Sequence, residues 1–327
     1  MKVGILANPK HPRTMRAYAY LVDFLVRART TYCSATTTRQ WPGNKQASQL
    51  LDWGADLIVV LGGDGTLRVS APVLAAAKVP VLIIPTGTAN VLSKHLGIRS
   101  AQHAMQLAEE HIDSQTVTRC EVPVNEADCF TTTAGLRREH FVSLAGIGGD
   151  ARAVSGRPHV PRALRLGVLG YAYGASRALF APLINARITD TQIGAPEIAD
   201  PRIVGNPNAG TVGSEVWSVM ASKTARPAGP IPVFEHANLG AEELEFLAVE
   251  LTTTKPGGRL GEWAQIAWDC VNRRPAHHPA MHYWRGDQVS INLDAPAPVQ
   301  LDGDLIGDCR RLDLRAGTTS LTVLTPN

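Results

Sequence analysis

Short, fully apolar runs alternate with longer amphipathic segments at the start of the chain, and this alternation restricts the fold more than any other feature. Residues 3–7, 57–61 and 79–84 are apolar runs of strand length. Between them, apolar positions recur at helical spacing, as in MRAYAYLVDFLVRAR at 15–29. Short apolar strands between amphipathic helices are typical of a parallel sheet covered on both faces. The first part of the chain is therefore predicted to be an open α/β domain, whose ligands bind beyond the carboxyl ends of its strands.

A different pattern begins near residue 114. Strand-like segments separated by Gly, Pro, Asn and Asp clusters follow, at 117–124, 141–145, 216–221, 244–252, 288–293 and 321–324. One helix is predicted among them, at 162–180, so this half is predicted to be a mostly antiparallel β domain. A length of 327 residues suits two domains of roughly 150 residues each. The predicted domains are residues 1–114, completed by 312–327 from the C-terminus, and residues 115–311.

Composition and charge exclude several classes of protein. A net charge of +3 is too small to indicate a nucleic-acid partner, and 44% apolar residues is ordinary for a globular protein. The five cysteines are scattered without a CxxC pair, which predicts reduced thiols of a cytosolic protein and no zinc site. The N-terminal MKVGILANPKH indicates a strand rather than a signal peptide, and no segment has roughly 18 uninterrupted apolar residues. We therefore expect a cytoplasmic protein.

Two turns rich in glycine and threonine follow predicted strands. The first turn is Gly62, Gly63, Asp64, Gly65 and Thr66, and the second contains Thr86, Gly87, Thr88 and Asn90. Glycines let backbone N–H groups face an anion, and the second turn precedes a predicted helix, at 89–96, whose N-terminal amides favour phosphate. Asp64 repels phosphate, so it would act through a metal ion, a ribose or hydroxyl group, or the turn itself. Each turn alone also fits a tight turn or a helix capped by Thr88, but two at one sheet edge favour phosphate binding.

The two turns resemble those of the diacylglycerol kinase catalytic-domain family, which includes bacterial soluble lipid kinases and sphingosine kinases. LGGDGTLR at 61–68 and IPTGTANVLSKHLGI at 84–98 carry this resemblance. SLAGIGGDARAV at 143–154 is similar to a Gly-Gly-Asp-Ala stretch of the family, and QLDGDLIG at 300–307 resembles its Asp-Gly-Glu motif. The resemblance covers nearly the whole chain. It implies an α/β nucleotide-binding domain and a β-rich acceptor domain, with the active site in the cleft between them.

The resemblance also implies a reaction: an ATP-dependent, Mg²⁺-requiring kinase that phosphorylates a lipid hydroxyl at the membrane surface. Diacylglycerol is the default acceptor, and we expect a homodimer without a nucleic-acid partner. The two glycine turns would bind ATP with Mg²⁺, Asn8 would contact the nucleotide, and Thr37 or Thr38 would line the same pocket. Asp302 would be the general base, while Asp304 and Asp64 would support magnesium. Phosphoryl transfer requires such positioned phosphates, charge neutralisation and a carboxylate, although Asp302-Gly303-Asp304 by itself also fits a hairpin turn.

Three segments depart from the family pattern. The first loop, NPKHPRT, lacks the usual glycine and leaves Lys10 or Arg13 to contact phosphate, and Asp304 replaces the usual Glu. GAEELEF at 240–246 stands where bacterial members have an Asp-Asp-Gly-x-Leu-Asp segment for a structural metal. These departures keep two alternatives open. One is a NAD kinase-like enzyme, against which the second glycine turn argues, and the other is a non-catalytic regulator that binds nucleotide or lipid.

Two further clusters have competing interpretations. Residues 151–189 contain six arginines and no acidic residue, which predicts either a solvated helix face or a basic surface for an anionic membrane. These arginines are Arg152, Arg157, Arg162, Arg165, Arg177 and Arg187. PAHHPAMH brings His277, His278 and His282 together, but its prolines favour a loop over a metal site.

Overall fold

The structure is a computed structural model that describes residues 1–114, 117–155, 178–190, 211–227, 231–253 and 256–326. The chain forms two compact units, one of residues 1–124 with 317–327 and one of residues 125–316. The predicted fold class is confirmed, because the first unit is an α/β unit with a mainly parallel sheet and the second contains a large antiparallel sheet. The predicted helix at 162–180 lies outside the described residues except at its last three positions.

The first unit has six strands and five helices. Its strands are β1 (Lys2–Ala7), β2 (Thr31–Thr36), β3 (Leu57–Gly62), β4 (Val81–Pro85), β5 (Thr118–Pro123) and β16 (Ser320–Thr325). Its helices are α1 (Pro12–Arg27), α2 (Asn44–Asp52), α3 (Asp64–Ala77), α4 (Val91–His95) and α5 (Ala101–Ser114). The strand order is β2-β1-β3-β4-β16-β5, and only β5 is antiparallel to its neighbour. The carboxyl ends of β1, β3 and β4 therefore meet at one edge.

Sequence accounts for these elements directly. All six residues of β3 are buried, as expected for a central strand covered by helices on both faces. In α1, the buried positions Thr14, Ala17, Leu21 and Leu25 recur at helical spacing and form one face. Pro12 occupies the first turn of α1, where its missing N–H has no intrahelical acceptor to lose. Helix α4 is only five residues long, shorter than the predicted helix at 89–96.

In its described residues, the second unit contains a ten-stranded sheet and two α-helices. Its strands are β6 (Asn125–Thr131), β7 (Gly135–Phe141), β8 (Leu144–Gly148), β9 (Ile184–Asp190), β10 (Thr211–Val216), β11 (Ser218–Ser222), β12 (Leu244–Val249), β13 (Met281–Gly286), β14 (Gln288–Leu301) and β15 (Asp304–Arg315). Its helices are α6 (Gly149–Ser155) and α7 (Pro256–Val271). The main strand order is β13-β12-β11-β8-β14-β15-β6-β7, and β9 pairs with β14 and β10.

Two elements of this unit differ from the sequence prediction. The apolar run 141–145 is divided between two strands, because Phe141 ends β7 and Leu144 begins β8. Helix α7 was not predicted, since its glycines at 257, 258 and 261 weaken the helical pattern. Its buried residues Ile266 and Cys270 belong to a core cluster that also contains Phe234 and Leu247, so tertiary packing stabilises this helix despite its glycines.

Candidate functional site

The two glycine turns lie in direct contact at the edge of the first sheet. The Gly62 carbonyl oxygen, at the end of β3, accepts hydrogen bonds from the Thr86 and Gly87 amides at 3.0 and 3.3 Å. A Cβ atom on Gly87 would lie 2.6 Å from the Gly63 Cα, and one on Gly63 would lie 3.1 Å from the Gly87 Cα. The two backbones therefore approach so closely that a side chain at Gly87 would force them apart.

Asn8 and Asp64 connect these turns to their neighbours. The Asn8 side-chain amide, just after β1, donates to Thr66 Oγ1 at 3.0 Å, and Asn8 Oδ1 accepts from the Lys10 amide at 3.1 Å. Asp64 is the first residue of α3, and its Oδ1 lies 3.4 Å from the Leu92 amide in α4. The half-buried Asp64 carboxylate therefore stands between the two loops, in the first turn of a 14-residue helix.

The predicted threonines have different environments. The Thr86 hydroxyl is buried and lies 2.7 Å from the Thr14 hydroxyl of α1, so it faces the interior of the unit. Thr88 is exposed. Thr37 is buried beside β1, where its amide donates to the Ala7 carbonyl at 2.9 Å. The Thr38 hydroxyl accepts from the Trp41 amide at 3.0 Å and closes a turn. Of these four, Thr38 and Thr88 are exposed, and Thr88 is the one that belongs to a glycine turn.

Asn90 has one polar atom without a partner. Its backbone is left-handed, with φ of 49°, and its Nδ2 donates to the Gly87 carbonyl at 2.9 Å. Its Oδ1 is buried and has no hydrogen-bond partner among the described residues. Since an unpaired buried acceptor is costly, this oxygen is suited to a donor or a cation supplied by a ligand.

A groove of about 750 Å³ opens beside the second glycine turn. Arg13 and Arg16 of α1 line it, together with Lys94 of α4 and Arg99. None of these four side chains forms an ion pair with a residue in the described part of the chain. Glu109 is the one carboxylate among the residues that line the groove. The groove therefore carries an excess of positive charge next to Gly87 and Asn90.

In the second unit, Asp302 and Gly303 form the tight turn between β14 and β15. Both have positive φ, 48° and 82°, and Leu301 pairs directly with Asp304. This is the geometry of a type I′ hairpin, in which Asp-Gly is a favoured pair. The Asp302 carboxylate accepts from the Val142, Ser143 and Leu144 amides at 2.8, 2.8 and 3.0 Å. Three backbone amides engage this carboxylate, so it fixes the start of β8.

Asp304 differs from Asp302 although it is only two residues away. It is exposed at the first position of β15. The turn thus holds one carboxylate bound to the backbone and one that solvent or a ligand can reach.

The structure adds Asp150 to this region, a residue that the sequence identified only as part of the Gly-Gly-Asp-Ala stretch. The Ser218 hydroxyl lies 2.9 Å from the Ile147 carbonyl and 2.6 Å from Asp150 Oδ1, and Gln300 Nε2 donates to Asp150 Oδ2 at 3.0 Å. A hydroxyl has one proton, so Ser218 donates to one of these two oxygens at a time. Burial raises the pKa of the Asp150 carboxyl.

Asp150 is connected to the hairpin turn through Gln300. The Gln300 Oε1 atom accepts from the Gly303 amide at 2.8 Å while its Nε2 binds Asp150. A Cβ on Gly146 would lie 1.9 Å from Asp150 Oδ2, which explains the glycine at that position. The Gly-Gly-Asp-Ala stretch and the Asp-Gly-Asp turn are thus parts of one hydrogen-bonded network.

Comparison with known proteins identifies the first unit. Residues 2–122 match the model of the diacylglycerol kinase catalytic domain. Residues 2–122 are therefore similar to this domain family. The resemblance expected from the two glycine turns is confirmed, and both turns lie within the matched residues.

Individual relatives extend the comparison beyond the kinase domain. An uncharacterised protein of Synechocystis is 24% identical over 293 residues, covering 86% of this chain and 58% of its own length. A NAD kinase of Citrifermentans bemidjiense is 30% identical over 98 residues, covering 28% of this chain and 34% of its own length. The chain therefore spans less than two thirds of either relative. A diacylglycerol kinase structure from Bacillus anthracis superposes with a TM-score of 0.63 at 18% identity, covering 99% of this chain and 96% of that one, which shows a shared fold.

The segment at 240–246, which departs from the family's metal-binding pattern, binds a lysine. Lys223 is buried, and its ammonium donates to the Ala241, Glu242 and Glu243 carbonyls at 2.6, 3.1 and 2.7 Å. Burial lowers the pKa of Lys223 to about 8, which leaves the ammonium charged at neutral pH. These three carbonyls already hold a cation, so the residues do not fit a metal ion at this segment.

We expect Lys223→Met to lower the free energy of unfolding by about 3 kcal/mol, because methionine keeps the apolar stem but leaves three carbonyls without their donor. Chemical denaturation followed by circular dichroism measures this change. Lys78→Met, at an exposed position after α3, is the matched control and should stay within about 0.5 kcal/mol of the parent. Equal stability of the two variants would contradict a structural role for the buried ammonium.

The remaining predicted clusters do not form a site in the described residues. His278 is buried and its Nδ1 accepts from the Ala280 amide, while His282 lies in β13 with its Nε2 3.5 Å from Glu250. No group of three or more His, Cys, Asp or Glu in the described ranges is arranged to hold a metal. Of the six arginines between 151 and 189, only Arg152 and Arg187 are described, so the predicted basic surface lies mostly outside those ranges.

Proposed function

We propose that this protein is an ATP-dependent lipid kinase that transfers a phosphoryl group to a lipid hydroxyl, with diacylglycerol as the default acceptor. The observation that carries the proposal is the packing of Gly63 against Gly87, with Asp64 standing between their loops. Such a backbone surface, free of side chains, admits phosphates at close range. The match of residues 2–122 to a kinase domain supports the same reaction.

The residues around the glycine turns fit the phosphates of ATP. Arg13, Arg16, Lys94 and Arg99 offer positive charge to a polyphosphate along the neighbouring groove. The first amides of α3 have no intrahelical acceptor and face an anion favourably. The buried, unpaired Asn90 Oδ1 accepts a donor from the ligand. Asn8 acts indirectly, because its side chain holds Thr66 of the first turn.

We expect Gly87→Val to weaken ATP binding about 10- to 100-fold. Its Cβ would lie 2.6 Å from Gly63 Cα and 2.8 Å from Asn90 Oδ1, and overpacking of this kind costs about 1–3 kcal/mol. Isothermal titration calorimetry with ATP measures the affinity. Gly261→Ala, at an exposed helical position where a Cβ meets nothing within 4 Å, is the control. Unchanged affinity of the Gly87 variant would place the nucleotide elsewhere.

The chain also has a carboxylate suited to magnesium. Mg²⁺ at phosphoryl-transfer sites is usually held by one or two carboxylates together with substrate phosphates and water. Asp64 offers one half-buried carboxylate beside the glycine turns, so the absence of a larger cluster in the described ranges does not conflict with this role. When bound, the ion neutralises charge that develops on the phosphates.

For proton removal from the acceptor hydroxyl, we assign Asp304 rather than Asp302. A carboxylate that accepts three backbone N–H bonds has little remaining capacity for a further proton, and Asp302 is such a group. Asp304 is exposed in the same turn. Asp302 would then position the turn, with Gln300 and Asp150 holding it from the other side.

A NAD kinase-like enzyme is the second candidate. The 98-residue match to a NAD kinase at 30% identity favours it. The match of residues 2–122 to the diacylglycerol kinase domain, including the second glycine turn, favours the lipid kinase. A third candidate is a regulator without activity, which the altered NPKHPRT loop and the backbone-bound Asp302 favour.

One assay separates these candidates. The purified protein is incubated with radiolabelled ATP and Mg²⁺ and with diacylglycerol in detergent micelles, NAD, or buffer alone. We expect label in the lipid product only. Label in NADP would support the second candidate, and no transfer to diacylglycerol or to a wider lipid extract would support the regulator. A lipid acceptor would place the protein at the cytoplasmic membrane surface.

The expected homodimer is a separate proposal, and light scattering would test it.

A further inference from the structure

Helix α7 has an inverted distribution of polar and apolar residues. Of its three charged residues, Arg259 and Glu262 are buried and Asp269 is half-buried. Arg259 donates to the Thr253 and Ala181 carbonyls, and Glu262 accepts from the amides and hydroxyls of Thr252 and Thr253. Its solvent face is apolar instead. An exposed helix of a water-soluble protein normally has the opposite arrangement.

The exposed side chains of α7 form an uninterrupted apolar stripe. Leu260, Trp268 and Val271 are 56%, 69% and 58% exposed, and Ala264 lies between them on the same face. Among the residues of α7 whose side chains are described, Gln265 is the only exposed polar one. Single exposed apolar residues are ordinary, but a continuous apolar face marks an interaction surface.

Positive charge follows the stripe directly. Arg273 and Arg274 are exposed immediately after α7, and neither forms an ion pair with a described residue. A groove of about 490 Å³, lined in part by Trp268, Asp269 and His278, lies beside the stripe. The surface therefore combines an exposed tryptophan and aliphatic side chains with two exposed arginines, whose positive charge exceeds that of the half-buried Asp269 carboxylate.

We propose that the exposed face of α7 docks on a bilayer surface that carries anionic phospholipid. An apolar helical face enters the boundary between headgroups and acyl chains, tryptophan prefers that boundary, and arginines bind anionic headgroups. None of the described helices is both long and apolar enough to span a membrane. The proposal rests on the lipid-kinase function for its biological purpose, but the surface chemistry predicts vesicle binding independently of catalysis.

The first experiment measures binding of the full chain to vesicles without ATP or acceptor. Sedimentation with phosphatidylcholine vesicles containing phosphatidylglycerol is compared with sedimentation with phosphatidylcholine alone. We expect preferential binding to the anionic vesicles, and about a tenfold loss of affinity in Leu260→Gln/Trp268→Gln. The Arg273→Gln/Arg274→Gln variant should lose most of the preference for anionic vesicles. Its vesicle binding should also depend less on salt concentration than that of the parent. Leu136→Gln, at an exposed apolar position in β7 of the same unit, is the matched control and should bind like the parent.

Several results would overturn the proposal. One is absence of vesicle binding by the parent, and another is equal binding by the parent and the Leu260/Trp268 variant, with thermal unfolding confirming that both are folded. A parent that is dimeric by light scattering, with a monomeric Leu260/Trp268 variant, would assign the face to a second copy of the chain.

A second assay separates this proposal from the kinase proposal. Phosphoryl transfer to a short-chain, water-soluble diacylglycerol, without vesicles, should be unchanged in the Leu260/Trp268 variant. Transfer to long-chain diacylglycerol in anionic vesicles should fall about tenfold, in parallel with binding. Vesicle binding without transfer to any acceptor would overturn the kinase function and leave the docking surface intact. Normal phosphoryl transfer by a parent protein that does not bind vesicles would overturn the docking surface and leave the kinase function intact.

Discussion

Replacement of Asp64 by asparagine should reduce phosphoryl transfer about 1,000-fold while leaving the fold intact. The substitution removes the carboxylate charge that would hold Mg²⁺ beside the glycine turns, and metal stabilisation of a phosphoryl transition state is worth several kcal/mol, or about three powers of ten in rate. Asparagine keeps the shape and an oxygen that can accept from the Leu92 amide. Turnover of radiolabelled ATP at saturating acceptor measures the effect.

Two measurements identify the cause of that loss. The Mg²⁺ concentration for half-maximal rate should rise in Asp64→Asn, whereas a purely structural role would leave it unchanged and lower the thermal unfolding temperature instead. Asp23→Asn removes an exposed carboxylate of α1 that pairs with Arg27 at 3.0 Å, and it should retain parental turnover. Parental turnover in Asp64→Asn would remove Asp64 from the reaction.

The two carboxylates of the hairpin turn should respond to substitution in opposite ways. Asp304→Asn should lower kcat about 10²- to 10⁴-fold, the usual contribution of general-base catalysis, with little change in stability. Asp302→Asn should lower the free energy of unfolding by about 1–3 kcal/mol, because its amide group would face backbone N–H donors that now bind a carboxylate oxygen. Under conditions in which the Asp302→Asn variant is folded, its kcat should fall much less than that of Asp304→Asn.

This pair of variants distinguishes Asp304 from the base implied by the family resemblance. If Asp302→Asn abolishes turnover at unchanged stability while Asp304→Asn is active, Asp302 is the base and our assignment is wrong. Asp294→Asn, an exposed carboxylate of β14 that pairs with Arg187 at 3.3 Å, controls for loss of surface charge in the same unit. ATP affinity, measured by calorimetry, should stay near the parental value in all three variants.

Much of the first unit was predictable because its signals are local. The apolar run at 57–61 belongs to β3, and the helical spacing at 15–29 corresponds to α1, which begins earlier because Pro12 fits a first turn. The resemblance of the two glycine turns to the kinase family was likewise carried by contiguous residues. By contrast, α7 escaped prediction, since its three glycines lower helical propensity and its stability comes from packing against distant strands.

The fold class, the kinase-domain resemblance and the Asp-Gly pair of the hairpin turn can all be predicted from contiguous residues, because strand and helix periodicity and turn chemistry depend on neighbours along the chain. The contacts of the individual groups depend instead on the three-dimensional arrangement of the chain. The Thr86 hydroxyl faces Thr14, and the carboxylate of Asp302 is held by amides far away in sequence. The fold likewise brings Lys223 to the carbonyls of residues 241–243, in the segment whose sequence departs from the family's metal-binding pattern. These pairings depend on which strands lie side by side. A local sequence pattern does not specify which distant backbone group will form a hydrogen bond with a given side chain.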